Sequence, residues 1–318
     1  MTNLTLVTAA DVRDAQRAIA ARVRRTPMMR SAHLSERFGV EMHFKLELFQ
    51  KTGSFKVRGA LNRMLGLSQE QRRRGVVTVS AGNHAQAVAW AARELGTKAT
   101  VVMYARAVRS KVEATRGYGG EVIQSDRDLL DVAREIQEER GLVMVHPFDD
   151  PAVIAGAGTV GDEIMDDVPE ADVILVGVGG GGIVSGVAVA ALARRPGVRI
   201  VGVEPEGAAA MRLSLDRGSP QKLDKVDTIA DGLAAPWAGA LTFAHVRGLG
   251  IEIVTVPDAP IAEAMWLLMG RCKVVAEPAA SAGLAALISG AVTVDRGARV
   301  VCLLTGGNID RERLKTLA

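Results

Sequence analysis

The chain has 318 residues, 48% of them hydrophobic and 24% charged, with 34 Gly and 11 Pro. That is long enough to bury a sizeable core and too balanced for a disordered, collagen-like or coiled-coil chain. The 39 Lys and Arg against 36 Asp and Glu leave only +3, and 3 Trp, 2 Tyr and 6 Phe are too few for a base-stacking surface, so no nucleic-acid partner is expected.

The opening residues, Met1 to Thr8, have neither a basic start nor a long apolar stretch, so no export signal is expected. Thr8 with Asp11 three residues later reads as a capping box. The helix it starts is predicted to run to about Arg25, because Pro27 cannot continue it. Strands are predicted at Met42–Glu47, Val76–Ser80, Ala99–Met103, Val122–Gln124 and Val143–His146, with helices near Ala85–Leu95, Arg109–Tyr118 and Asp128–Arg140. Gly96, Gly119 and Gly141 stand just past those helices, where a left-handed cap is wanted.

The second half repeats the pattern. Strands are predicted at Val173–Val178, Arg199–Val203, Glu252–Val256 and Val300–Leu304, and helices at Val184–Ala193, Ala259–Arg271 and Ser281–Ser289. Val173 to Ala193 is uncharged and long enough to suggest a membrane span, but six of its residues are Gly. A helix through them would lose about 1 kcal/mol at each, so strand, glycine turn and helix is the better reading, and no membrane is expected. This alternation is α/β, with two parallel-sheet-based units and a cleft between them. The smaller unit is predicted at 67–149, and the larger joins 1–66 to 150–318. Cys272 and Cys302 make neither a disulfide framework nor a metal spacing, so a reducing cytoplasm is the expected compartment.

Four segments could carry chemistry. In Gln50-Lys-Thr-Gly-Ser-Phe-Lys-Val-Arg58, the stretch 52–54 is read as capping a helix whose first turn holds Lys56. The positive end of the helix dipole disfavours an ammonium there and favours a neutral, nucleophilic amine. Lys51 and Arg58 are read as solvated or paired. Ser80-Ala-Gly-Asn-His-Ala-Gln86 lies between a strand end and a helix start, where backbone N–H groups face an anion, although Asn and Ser are also ordinary helix caps. Gly177-Val-Gly-Gly-Gly-Gly-Ile183 follows a buried strand. Gly177, Gly179 and Gly182 fit G-x-G-x-x-G, and Glu204, 22 residues past Gly182, stands where a ribose-binding acid belongs. Alone, that stretch reads as the site of an NAD-dependent oxidoreductase; four consecutive glycines also suit a cup around one phosphate. Leu304-Thr-Gly-Gly-Asn308, alone, is a turn.

Together the four segments resemble the fold-type II pyridoxal-phosphate enzymes, closest to the serine/threonine dehydratases, with serine racemase as a relative. The resemblance runs from about Thr26 to Asp310 and includes Thr159 and Thr228-Ile-Ala-Asp-Gly232. It implies a tryptophan synthase β-like fold with pyridoxal 5'-phosphate in the cleft. It implies that Lys56 carries the cofactor covalently, that Phe55 packs on its ring, and that Asn83 hydrogen-bonds the ring 3-oxygen. Gly179, Gly180, Gly181 and Gly182, with the N–H of Ile183, would hold the phosphate, and Thr305 would meet the ring nitrogen. Ser80, Ala81, Gly82, Asn83 and His84 would take the substrate carboxylate. The implied reaction is β-elimination and deamination of a β-hydroxy amino acid, L-threonine or L-serine, to a 2-oxo acid and ammonia, with Lys56 taking the Cα proton. 3-Hydroxyaspartate and a hydroxyectoine-pathway compound are the alternative substrates. A homodimer is implied by family analogy.

Two departures from the family pattern alter expectation. Racemases of this family carry a second serine where this chain has Ala81, so little racemase activity is expected. The family's divalent-cation site matches Glu204 and the carbonyl of Ala208, but Ala210 replaces the second carboxylate, so no metal is expected. The sequence stops at Ala318, soon after Thr305, so neither a C-terminal regulatory domain nor feedback inhibition by a branched-chain amino acid is expected.

Overall fold

In chain order the first half is built from α1 (Ala9–Ile19), β1 (Met28–Arg30), α2 (Ala32–Phe38), β2 (Glu41–Leu46), α3 (Lys56–Leu65), α4 (Gln69–Arg74), β3 (Val76–Val79), α5 (Asn83–Glu94), β4 (Ala99–Tyr104), α6 (Arg109–Gly117), β5 (Glu121–Ser125), α7 (Leu129–Arg140) and β6 (Val143–Met144). The second half continues with α8 (Pro151–Asp167), β7 (Val173–Gly177), α9 (Gly182–Arg194), β8 (Arg199–Pro205), α10 (Ala210–Arg217), α11 (Ala240–Gly248), β9 (Glu252–Val256), α12 (Asp258–Leu267), α13 (Pro278–Ile288), β10 (Arg299–Leu304) and α14 (Arg311–Thr316). The computed structural model describes residues 4–317. Met1–Asn3, the start of the segment read as lacking an export signal, and Ala318 lie outside the described residues.

The strands form two sheets. One has six strands in the order β1-β2-β10-β7-β8-β9, and the other has four in the order β5-β4-β3-β6. Among the described strands only β1 runs antiparallel, with Met29 opposite Phe44 on β2. Parallel sheets need both faces covered, and β7, Val173-Ile-Leu-Val-Gly177, is buried at every position. One core lies on each face of the six-stranded sheet: Leu175, Val201 and Leu304 pack with α13, while Ile174, Val176 and Leu303 pack with α8 and α9. Strand, glycine turn and helix is what Val173–Ala193 forms, and among the described residues no helix is long and apolar enough to cross a membrane. In such sheets ligands bind off the carboxyl ends of the strands. The Ser80 loop, the glycine turn and Thr305 all follow such ends.

Several local expectations are corrected. The Thr8 capping box is present, but α1 ends at Ile19 instead of near Arg25. The Gln50 amide takes the backbone of Arg24 in both directions, at 3.0 and 2.7 Å, and pulls the chain out of the helix. Strand β6 stops at Met144 because the Val145 carbonyl accepts instead from the side chains of Thr78 and His84. The helix predicted to reach Arg271 ends at Leu267 and continues as a π-turn to Cys272. Helix α13 starts three residues early, because Pro278 at its first position needs no N–H partner. Helix α8 was not predicted at all. Its Gly156, Gly158 and Gly161 weaken a helix locally, yet a Cβ at any of them would sit 2.5–2.8 Å from the Arg58 carbonyl, Val12 and the Val187 carbonyl respectively. The close packing of α8 on α3, α1 and α9 therefore requires them.

Candidate active site

Lys56 opens α3. The cap is not the one expected: Ser54 is extended, pairs with Gly306, and its buried Oγ has no partner among the described residues. Phe55 stands at the cap position, and its N–H donates to the Thr305 carbonyl at 3.0 Å. The loop before α3 is thus tied to the end of β10. The Lys56 amine donates to the Pro147 carbonyl at 2.8 Å and lies 5.1 Å from the Phe55 ring centroid. Burial lowers its pKa from 10.5 to about 8, against a smaller upward pull from Glu277.

The residue after Pro147, Phe148, packs on the glycine turn. A Cβ on Gly180 would strike carbons of the Phe148 ring, and one on Gly182 would sit 3.0 Å from the Phe148 carbonyl. Gly181 caps α9 at φ +93°, a backbone region that favours glycine. The turn's carbonyls face away from the cleft: Gly180 O accepts from Thr242 Oγ1 at 2.7 Å, and Gly181 O from Ser185 Oγ at 2.8 Å. Among the described residues, the backbone N–H groups of Gly179, Gly180, Gly181, Gly182 and Ile183 have no protein acceptor. A row of free N–H groups at a helix start, with no room for a side chain, is an anion cup. The Asp149 carboxylate braces it from behind, accepting from the N–H groups of Ala240, Leu241 and Thr242 at the start of α11.

In the loop after β3 the five expected carboxylate donors divide. Ser80 N–H already donates to Val102 O, and Gly82 N–H to Ser80 Oγ. The N–H groups of Ala81, Asn83 and His84 have no acceptor among the described residues. The His84 ring turns back to Val145 O at 3.0 Å, and burial, with the Lys56 charge, pushes its pKa down to about 3, so it is neutral. Asn83 is the first residue of α5 and does not act as its cap. Its Nδ2 donates to Glu277 Oε1 at 2.7 Å, and its Oδ1 accepts from Asn308 Nδ2 at 2.8 Å. Thr305, 4% exposed, follows β10.

Glu277 was not singled out from the sequence. It is buried, and burial raises its pKa to about 7 against the Asn83 hydrogen bond. The signal was weak: one carboxylate before a proline, after the apolar run Val274–Ala276. Asn308, in the segment that reads from sequence as a turn, reaches both Thr52 and Asn83.

Glu204 is fully buried, and its two oxygens accept from the N–H groups of Met211 and Arg212, at 2.8 Å each. Fully buried and turned to the start of α10, this carboxylate is not open to a ribose, which removes the dinucleotide reading. Ala208 lies in the short turn 206–208, and Ala210 opens α10. No cluster of three or more His, Cys, Asp or Glu able to hold a metal occurs among the described residues.

An amine of lowered pKa and an N–H cup share one cleft, bridged by Pro147 and Phe148, and they fit a ligand with an aldehyde at one end and a phosphate at the other. The comparisons agree. The family model described as pyridoxal-phosphate dependent enzyme matches residues 19–306. An L-threonine ammonia-lyase of Thermotoga maritima is 45% identical over 96% of this chain and 76% of its own length. An L-threo-3-hydroxyaspartate ammonia-lyase of Saccharomyces cerevisiae is 42% identical over 96% of this chain and 95% of its own. The solved structure of maize serine racemase superposes with a TM-score of 0.94 at 40% identity, covering 98% of this chain and 97% of that one.

Proposed function

The chain belongs to the pyridoxal-phosphate dependent enzymes, in their ammonia-lyase branch, and from that premise we propose that it converts a β-hydroxy amino acid, L-threonine or L-serine, to a 2-oxo acid and ammonia. The observation that carries the reading is the buried Lys56 amine, held on Pro147 O while the adjoining Phe148 lies against the glycine cup.

Pyridoxal phosphate, when bound, acidifies the Cα–H of an amino acid by delocalising charge into its ring. Lys56 holds it. Once the substrate's own amine had displaced it from the cofactor, the freed Lys56 amine, with a pKa of about 8, would be a base matched to neutral pH and placed to take the Cα proton. The N–H groups of residues 179–183 take the phosphate, Phe55 flanks the ring, and Asn83 donates to its oxygen. Thr305 offers the ring nitrogen a hydroxyl, which gives a hydrogen bond but not a full proton. Such a hydroxyl would leave the ring a weaker electron sink, which would suit loss of a β-hydroxyl better than transamination. The N–H groups of Ala81, Asn83 and His84 take the substrate carboxylate, while those of Ser80 and Gly82 hold the loop in shape.

A panel of L-threonine, L-serine and L-threo-3-hydroxyaspartate, assayed for 2-oxo acid release, tests the substrate. Release from none of them by the cofactor-loaded protein overturns the reading. The yeast relative makes the dicarboxylic compound the second candidate. With Ala81 in place of a second acid, D-serine formation from L-serine is expected to be slow; rapid formation removes Ala81 as a discriminant. The proposal extends to a cytoplasmic homodimer with its smaller unit at 67–149; sedimentation tests the dimer.

A further inference from the structure

The amide hydrogens around Asn83 can be counted. Asn308 Nδ2 carries two, one going to the Thr52 carbonyl at 2.7 Å and the other to Asn83 Oδ1 at 2.8 Å. Asn83 Nδ2 also carries two, and one goes to Glu277 Oε1 at 2.7 Å. One hydrogen of the four is left. The sense of the chain is fixed at its ends. Turning the Asn308 amide over would set its oxygen against the Thr52 carbonyl oxygen, and turning Asn83 over would set its NH₂ against that of Asn308.

Three local sacrifices maintain this arrangement. Thr52, a β-branched residue, sits at φ +56°, a conformation such residues rarely adopt. Glu277 occupies the cap position of α13 but makes no cap hydrogen bond, turning to Asn83 instead. Gly53 and Gly306 lack the Cβ that would strike Asn308 and Glu277, the latter at 2.6 Å.

We propose that Glu277 and Asn308 are positioning residues, which clamp the Asn83 amide so that its single uncommitted hydrogen is presented to the oxygen of the bound cofactor. The inference rests on the reading of Asn83 as a cofactor ligand. It deepens that reading by assigning work to two side chains that need not touch the cofactor. Without Glu277, Asn83 Nδ2 loses its fixed acceptor and the amide is held at Oδ1 alone, so its uncommitted hydrogen is no longer aimed. Without Asn308, Asn83 Oδ1 and Thr52 O both lose their donor.

The test uses the full-length protein and the variants Glu277→Ala, Glu277→Gln and Asn308→Ala. Three quantities are read: affinity of the apoprotein for pyridoxal phosphate, position of the bound cofactor's visible absorption band, and kcat and KM for the amino acid the wild type deaminates. Glu277→Ala and Asn308→Ala are expected to weaken cofactor binding about tenfold and lower kcat about 10- to 100-fold, the scale of a misplaced reacting group. The band moves in both, and kcat falls by more than KM rises. Glu277→Gln, which can still accept from Asn83, recovers most of the lost affinity and returns the band towards its wild-type position. An unmoved band with wild-type affinity in Glu277→Ala overturns the proposal, as does Glu277→Gln behaving like Glu277→Ala. If circular dichroism shows Glu277→Ala unfolded, Asn308→Ala decides by the same readouts. A wild type that deaminates nothing strikes the proposed reaction instead, and leaves the band and affinity comparison standing.

Discussion

At the scale of single residues, the decisive quantity is the protonation of Lys56. Its amine is held by one carbonyl and faces the Phe55 ring, so burial is only partly offset, by Glu277, and its pKa falls to about 8 from 10.5. At pH 7 about one amine in ten is then neutral, against fewer than one in a thousand for an ordinary lysine. Only the neutral form adds to an aldehyde. Capture of pyridoxal phosphate by the apoprotein is therefore expected to accelerate as pH rises, levelling off above about 8, in a stopped-flow pH series. An inflection near 10.5 would contradict the structure. Neutral His84 contributes no charge, so the carboxylate recognition proposed for this loop would fall to backbone N–H groups.

At the scale of elements, the glycine turn admits no side chain at its second position. Gly180→Ala must displace the Phe148 ring, an overpacking of about 1–3 kcal/mol. Both the thermal midpoint and the affinity for pyridoxal phosphate should fall; unchanged affinity removes the turn from the site. This turn was legible in the sequence because its information is local: a buried strand, then glycines, then a helix. The same holds for the Thr8 capping box and for the left-handed Gly96, Gly119 and Gly141. Helix α8 was illegible because its glycines read as breakers until the helices packed against it are known. Glu277 was illegible because its partner, Asn83, lies 194 residues away. The supposed cap at 52–54 misled because Ser54 answers to Gly306, not to its own helix.

At the scale of the whole molecule, a buried ion network joins distant segments. Arg58, fully buried, donates to Glu47 and Glu163 through its forked guanidinium at 2.7–3.0 Å, and Lys45 meets Glu163 at 2.8 Å. It binds α3 to the end of β2 and to α8. Arg58→Met leaves buried Glu47 without a cation and Glu163 with Lys45 alone, and should cost about 3–5 kcal/mol in denaturant unfolding. A loss below about 1 kcal/mol would mean that the network relaxes on substitution. Farther out, Lys111 on α6 reaches Asp231 at 3.1 Å and links the four-stranded layer to the larger one. Helix α8 has a consequence of its own. Cβ atoms on Gly59 and Gly156 would strike across its contact with α3, and those on Gly158 and Gly186 across its contact with α9. The two helices it grips begin at Lys56 and at the glycine turn. A single rod thus gauges the distance from the amine to the row of free N–H groups, and under the proposed function that distance is the span of the coenzyme.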